Sequence, residues 1–258
     1  MRVVSPEQKA RHRAGFFMST VRHHGQGKSH APLDPRSTVN SVIEDMSIER
    51  VALRQRLRAA RRAIPAPERI AAADNLAQRL LALPFAPEQG HVAGYWATDG
   101  EIALHTWQLK LPPSLVYCLP VLCNNILRFA PWRPGAALVT NRFGIPEPDI
   151  ARDHLIDAVD MALVVVPLVG FDARGNRLGM GGGWYDRSFG FRIEHAAPPS
   201  LVGVGFAVQQ LDAIATQPWD VSLDAICSER ETLLVDSLHG PQINASLSDG
   251  PPLDGQPA

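Results

Sequence analysis

The chain has little cysteine, almost no net charge and no long apolar run. Its three cysteines, Cys118, Cys123 and Cys227, are too few for a disulfide framework, and none belongs to a C-x-x-C pair. A reducing compartment, the cytoplasm, is therefore the expected setting, with both Cys118 and Cys123 buried and inert. The net charge of −1 excludes a global electrostatic footprint for nucleic acid or an anionic membrane. No stretch reaches the ~18 apolar residues that a transmembrane helix needs. The first twenty residues carry Arg2, Glu7, Lys9, Arg11 and Arg13 without a long apolar segment, so they do not read as a secretory signal. No repeat recurs at a fixed period. What is present is globular in character: 258 residues, 45% hydrophobic and 20% charged, enough to bury a sizeable core.

The near-zero charge is an average over three unlike segments. Residues 1–45 carry a net +3 and four of the nine histidines, with scattered apolar residues. Residues 1–46 are read as a disordered leader or an over-extended start ending at Met46, in preference to a basic nucleic-acid arm or a His23-His24-x5-His30 metal site. Residues 238–258, rich in Pro, Gly and Ser, are read as a disordered tail. The remaining 47–237 carries a net −2 and holds the fold.

Within it, Ser47 is expected to cap a helix with Ile48, Val51, Leu53, Leu57, Ala60 and Ile64 along one stripe. Arg50, Arg54, Arg58 and Arg61-Arg62 lie on the other face. Pro65 breaks that helix. Pro67 opens a second, with Ile70, Ala73, Leu76, Leu80 and Leu83 as its stripe, and Pro84 ends it. Strands are expected over His91–Ala97, Leu115–Leu122, Ile126–Trp132, Leu201–Val208 and Thr232–Val235. Short helices are expected at Leu104–Leu109 and around Trp184–Ile193. The Val-rich, charge-free run Met161–Phe171 suits one strand buried on both faces. Alternating strands and helices predict an α/β single domain: a mostly parallel sheet with helices on both faces, preceded by a basic N-terminal helix.

The most informative stretch follows that run. Four glycines, Gly179, Gly181, Gly182 and Gly183, fall within five residues, just before an expected helix. Backbone N–H groups without Cβ cover can approach an anion closely, which makes a phosphate cradle physically sensible. The spacing fits neither G-x-G-x-x-G nor a P-loop, so composition alone leaves a plain glycine turn equally open. Asp186 has the chemistry to hold Mg²⁺ against phosphate oxygens, and Arg177 and Arg187 to neutralise phosphate charge; surface ion pairing is the alternative.

The pattern Phe171-Asp172-x-x-Gly175-x-Arg177-Leu178-Gly179-x-Gly181-Gly182-Gly183-Trp184-Tyr185-Asp186-Arg187 resembles the 5-formyltetrahydrofolate cyclo-ligase family, also called 5,10-methenyltetrahydrofolate synthetase. The resemblance covers about residues 47–230. Arg50-Val-Ala-Leu53-Arg54 resembles the family's first basic element. Tyr95-Trp96-Ala-Thr-Asp-Gly-Glu101-Ile102, Leu119-Pro120-Val121, Gly144-Ile-Pro-Glu147-Pro148 and Pro218-Trp219-Asp220 resemble later landmarks.

The resemblance implies that 5-formyltetrahydrofolate and ATP, with Mg²⁺, give 5,10-methenyltetrahydrofolate, ADP and phosphate. The formyl oxygen is phosphorylated, and N10 of the folate then attacks the activated carbon. It further implies a role for each matched residue. Arg50 and Arg54 reach the nucleotide phosphates. Arg177, Gly179, Met180, Gly181, Gly182, Gly183, Trp184 and Tyr185 wrap the ATP, and Arg54 and Arg187 act as the catalytic cations. Asp186 and Asp220 are the Mg²⁺ ligands. Glu101 meets the pterin, with Trp184 and Tyr185 beside it. Small-molecule partners only, with polyglutamylated folate as a candidate form of the substrate, and a monomer are expected, with no nucleic acid or membrane.

Departures from the family pattern are Arg50 for Lys, Met180 and Gly182 at basic positions, Trp184 for Tyr and Trp219 for His. The competing reading is a folate- or nucleotide-binding protein of the same fold without turnover. His105, His154 and His195 match no ligand spacing and are expected at the surface or in a satisfied core.

Overall fold

The computed structural model describes the backbone of residues 35–235 and the side chains from residue 48 onward. The leader before residue 35 and the tail after residue 235 lie outside the described residues.

Helix α1 runs Pro35–Arg62. No proline or glycine interrupts residues 36–62, so nothing in the chain stops the helix before Ser47, which is an interior helical residue and not the expected cap. The apolar stripe is also shorter than expected. Leu57 is buried with Val169 and Leu178, and Leu53 packs against them, whereas Ile48 and Val51 are exposed.

Helix α2 spans Ala66–Leu81, with Pro65 at the N-cap and Pro67 in the first turn, where a missing N–H loses no helical bond. Ala72, Ala73, Leu76, Ala77 and Leu80 form its buried stripe; Ile70 is exposed.

The chain then alternates through β1 (Gly90–Ala93), α3 (His105–Lys110), β2 (Leu115–Cys123) and β3 (Ile126–Pro131). A small hairpin follows, β4 (Leu138–Thr140) and β5 (Pro146–Pro148). Next come β6 (Leu163–Pro167), β7 (Gly170–Asp172), β8 (Arg177–Leu178) and α4 (Trp184–Phe189), which continues as a 3₁₀ turn over Gly190–Ile193. The last strands are β9 (Ser200–Val204), β10 (Gln210–Leu211), β11 (Ala225–Cys227) and β12 (Thr232–Leu234).

Seven strands form the main sheet in the order β12-β11-β9-β6-β1-β2-β3. The five inner strands are parallel, and each edge strand pairs antiparallel with its neighbour. The period of two along β6 accounts for both layers. Leu163 and Val165 point into the cluster built with α2 and α3, while Val164 and Val166 point into the opposite cluster with Phe129, Phe171 and Phe189 of α4. Helices thus cover both faces, as the charge-free run predicts.

That run is not one strand, however. Pro167 has no N–H to continue a ladder, and β6 ends there. The carbonyls of Leu168 and Val169 accept from Nε2 of Gln209 at 2.8 Å each, and β7 leaves to join a second, three-stranded sheet in the order β10-β7-β8. The break carries the chain directly into the glycine-rich loop after β8. Two expected strands are also trimmed. β1 stops at Ala93; the next residue, Gly94, passes so close to Tyr117 that a Cβ would lie 2.1 Å from its hydroxyl. β9 stops at Val204, because Ala207–Gln209 turns to bring Gln209 under β7. The three-residue strand β11 escaped sequence patterning altogether.

No described helix is long and apolar enough to cross a membrane.

Packing inside the sheet is tight at Gly203 of β9. A Cβ there would sit 2.6 Å from Leu223 Cδ1 and 2.7 Å from Leu168 Cδ1. Gly203→Ala is expected to destabilise the protein by about 1–3 kcal/mol through overpacking, read as a lower urea midpoint. An unchanged midpoint would show that the two leucines yield freely.

Candidate functional site

Open parallel sheets bind ligands beyond the carboxyl ends of their strands. The turn Thr98–Glu101 follows β1 at that edge, and the glycine-rich loop follows the β7–β8 pair. Helix α1 reaches both.

Asp99, held at a left-handed φ of 51°, collects the arginines of α1. Its Oδ2 accepts from Arg58 Nε at 2.6 Å and from Arg61 Nη2 at 2.9 Å, and Oδ1 pairs with Arg62. Arg61 Nε also donates to the Asp99 carbonyl at 3.0 Å and Nη1 to the Leu168 carbonyl at 3.3 Å. Arg61 is only 1% exposed, so this part of the basic face is buried and bonded, not solvated. Partial desolvation pushes the Asp99 carboxyl up, but hydrogen bonds from Arg58 and Arg62 and the charges of Arg58 and Arg61 outweigh it and hold it at about 2.

Glu101 ends the same turn, 12% exposed. One oxygen accepts the Thr98 N–H at 3.0 Å, and the other lies 3.6 Å from Arg61 Nη1. Burial pushes its pKa above the usual carboxylate range. Two tyrosines are nearby: buried Tyr95, whose hydroxyl donates to the Ile102 carbonyl at 2.7 Å, and partly buried Tyr185, stacked on Phe189 at 6.3 Å. Burial and then the Glu101 charge raise both phenols, so they stay protonated.

One turn earlier on α1, Arg54 Nε donates to the Gly179 carbonyl at 2.8 Å. Burial and the neighbouring Arg50 lower its pKa. Among the described residues, Arg50 makes only a 3.4 Å contact with the Ala215 carbonyl. Gly181 and Gly183 adopt φ of 93° and 61°, and a Cβ on Gly183 would lie 2.8 Å from Arg187 Nη1. Among the described residues, no protein acceptor takes the N–H groups of Met180 to Gly183.

The Arg177 side chain is 8% exposed; it donates to the Val221 carbonyl and pairs with Asp186. Burial lowers its pKa, and the nearby charges of Asp186 and Asp220 oppose that. Asp186 also accepts the Val221 N–H at 3.3 Å, and Asp220 accepts the Gln217 N–H at 2.9 Å. Among the described residues, no three His, Cys, Asp or Glu side chains gather as a metal cluster. The pair Asp186 and Asp220 around Arg177 fits Mg²⁺ only as part of a shell completed by phosphate oxygens and water.

Trp184 lies between cations. The Arg187 guanidinium is 5.1 Å and the Arg142 guanidinium 5.3 Å from its ring, with Phe143 edge-on at 6.0 Å. Arg187 Nε donates to the Asn125 carbonyl at 2.8 Å. Trp219 is 64% exposed beside Asp220. All three cysteines are free and buried, as expected for Cys118 and Cys123, and burial raises the Cys118 thiol to about 12. His105, His154 and His195 are exposed.

Sequence reasoning missed Asp99, the burial of Arg61, and the Arg142-Phe143 turn over Trp184. The signal for the first two was available: three arginines within five residues of a helix, and Asp-Gly just after a strand. The third depends on a hairpin of two three-residue strands, which pattern reading does not see.

Because the folded pKa of Asp99 is depressed, its stabilising charge is fully present above the unfolded value of about 4 and is lost as pH falls towards 2. Asp99→Asn should lower stability at neutral pH and flatten the loss of stability across that acid window, followed by urea melts at each pH. An unaltered acid slope would show that Asp99 is not the linked group.

Comparison with known proteins follows the same line. The family described as the 5-formyltetrahydrofolate cyclo-ligase family matches residues 46–229. The 5-formyltetrahydrofolate cyclo-ligase of Haemophilus influenzae is 32% identical over 182 residues, 68% of this chain and 95% of that one. The Escherichia coli K12 protein of the same name is 31% identical over 176 residues, 66% and 94% of the two chains. The NMR structure of Aquifex aeolicus 5,10-methenyltetrahydrofolate synthetase matches in fold with a TM-score of 0.62 at 24% identity, covering 80% of this chain and 96% of that chain.

Proposed function

This chain belongs to the 5-formyltetrahydrofolate cyclo-ligase family, and from that premise we propose how its residues divide the work of the reaction. The activity is the ATP-dependent conversion of 5-formyltetrahydrofolate to 5,10-methenyltetrahydrofolate. An amide oxygen is a poor leaving group. Transfer of the terminal phosphoryl group to the formyl oxygen makes it a good one; N10 then forms the new bond to carbon, and phosphate departs.

Phosphoryl transfer asks for positioning and charge neutralisation more than for a protein nucleophile. The observation that carries the assignment is the 2.8 Å bond from Arg54 to the Gly179 carbonyl, which fastens the basic helix to the glycine-rich loop. Arg54 and Arg50 face the phosphates from α1, and Arg187 faces them from α4. The N–H groups of Met180 to Gly183 supply donors, and the absence of Cβ atoms at Gly179, Gly181, Gly182 and Gly183 lets the phosphates approach them. Arg177 acts mainly by orienting Asp186. Asp186 and Asp220 would hold Mg²⁺, which when bound neutralises phosphate charge. Glu101 receives the pterin N–H groups, with Tyr185 and Trp184 lining the folate side.

The catalytic domain is placed at 47–237. It is proposed to work as a cytoplasmic monomer on small molecules alone, with polyglutamylated folate an acceptable substrate. Binding without turnover is a second reading, favoured by one observation: Asp186 is already paired with Arg177.

The full chain mixed with 5-formyltetrahydrofolate, ATP and Mg²⁺ should develop the near-ultraviolet absorbance of the methenyl product. Binding of both substrates without that absorbance would favour the second reading. Asp186→Asn should lower Mg²⁺-dependent turnover by about 10²-fold, as loss of a transition-state electrostatic group does; wild-type turnover in that variant would remove Asp186 from the metal site. Arg54→Ala should raise the KM for ATP by about tenfold, the scale of a lost charged hydrogen bond, with a smaller effect on folate. A normal ATP requirement would count against its phosphate role.

A further inference from the structure

Asp99 alone does not balance the buried charge at the head of the site. Three guanidiniums, Arg58, Arg61 and Arg62, meet its single carboxylate. Of these, Arg61 is the one removed from water, and a buried cation is tolerated only when it is well paired. Its Nε and Nη2 are used by Asp99 and its Nη1 by the Leu168 carbonyl, so the fork cannot turn. The same Nη1 lies 3.6 Å from Glu101 Oε1, which is ion-pair distance and too long for a hydrogen bond.

Glu101 is otherwise lightly bonded. Oε2 accepts the Thr98 N–H at 3.0 Å and has the Thr98 hydroxyl at 3.5 Å. A carboxylate has about four lone-pair sites, so acceptor capacity is left over, mainly on Oε1. A rigid buried cation therefore fixes the position of an anion whose remaining acceptors are free to receive donors.

We infer that Arg61 is a positioning residue for the reaction: locked inside α1 by Asp99 and Leu168, it holds the Glu101 carboxylate in place as the anion that receives the substrate's N–H donors. This rests on the reading that Glu101 meets the pterin. The charged and titratable groups facing Glu101 are Arg61 from α1, Asp99 from its own turn, Tyr95 after β1 and Tyr185 from α4. Arg61 alone among them carries positive charge. Burial and the Asp99 charge favour protonated Glu101; the Thr98 N–H bond and then the Arg61 charge oppose them. Without Arg61, Glu101 would take up its proton at higher pH, and substrate binding would weaken there.

The test measures kcat and KM for each substrate against pH in the full-length enzyme and in Arg61→Met, Arg61→Lys, Glu101→Gln and the Arg61→Met/Glu101→Gln pair, with thermal melts beside each. Arg61→Met should raise the KM for 5-formyltetrahydrofolate by about tenfold with little change for ATP, and should move the acid limb of folate binding to higher pH. Arg61→Lys keeps a cation but loses the fork; it should keep the limb near its original pH with a smaller rise in KM. In Glu101→Gln the limb should vanish, and adding Arg61→Met should raise the folate KM no further.

If Arg61→Met does not fold, Arg61→Lys and Glu101→Gln still decide the matter. Lower melting temperature with an unchanged folate KM and pH limb in the Arg61 variants would leave Arg61 a purely structural residue, even where Glu101→Gln shows Glu101 binding folate. An unchanged folate KM in Glu101→Gln would instead remove Glu101 from the substrate site, and the proposal with it.

Discussion

The site depends on one carboxylate. Asp99 draws three arginines of α1 onto the turn after β1, and that junction sets where the rest of the helix lies. With Arg58, Arg61 and Arg62 committed to Asp99, the preceding turns of the helix present Arg54 and Arg50 to the glycine-rich loop and the Ala215 carbonyl. Exposed pairs of this kind contribute little, but here Arg61 is buried and the carboxyl is held well below its ordinary value, so the junction is a coupled unit. It serves two ends at once: it anchors a helix whose own apolar contact is small, and it leaves the adjacent Glu101 beside a cation that cannot move.

A second constraint is the end of β6 at Pro167. An uninterrupted strand would have carried Val169 and Phe171 along the main sheet. The break diverts Gly170–Asp172 into the small sheet, and Asp172, fully buried, receives the N–H groups of Arg174, Asn176 and Ile214. That fixes the tight turn preceding Arg177 and so the take-off of the loop. Arg177 then links the loop to the Val221 carbonyl and Asp186, which brings the Asp220 segment to the same place.

Elements with strong periodicity were legible from the residues alone. α2 and the parallel strands β1, β2, β6 and β9 begin within about two residues of where patterning puts them, because Pro65 and Pro67 punctuate the helix and the Val-rich segment can only be buried on both faces; β11 had no such signal. The beginning of α1 was not legible: Ser47 is a good capping residue, but no breaker stands before it and local preference lost to helix continuity. The burial of Arg61 was not legible for a related reason. Helical spacing says which side chains share a face, not whether a carboxylate from residue 99, distant in sequence, will draw one of them out of solvent. In the loop, glycine composition could not separate a phosphate cradle from a plain turn. The longer pattern through Asp186 and Arg187 carried the family resemblance, and the family comparison agrees with that resemblance.

The account as a whole stands on the formyl oxygen leaving as part of phosphate. Turnover of 5-formyltetrahydrofolate labelled with ¹⁸O in the formyl group tests this directly, by mass analysis of the inorganic phosphate formed. The label should appear in phosphate in step with the methenyl product. Label found in water, or retained in the folate while ATP is hydrolysed, would contradict the account.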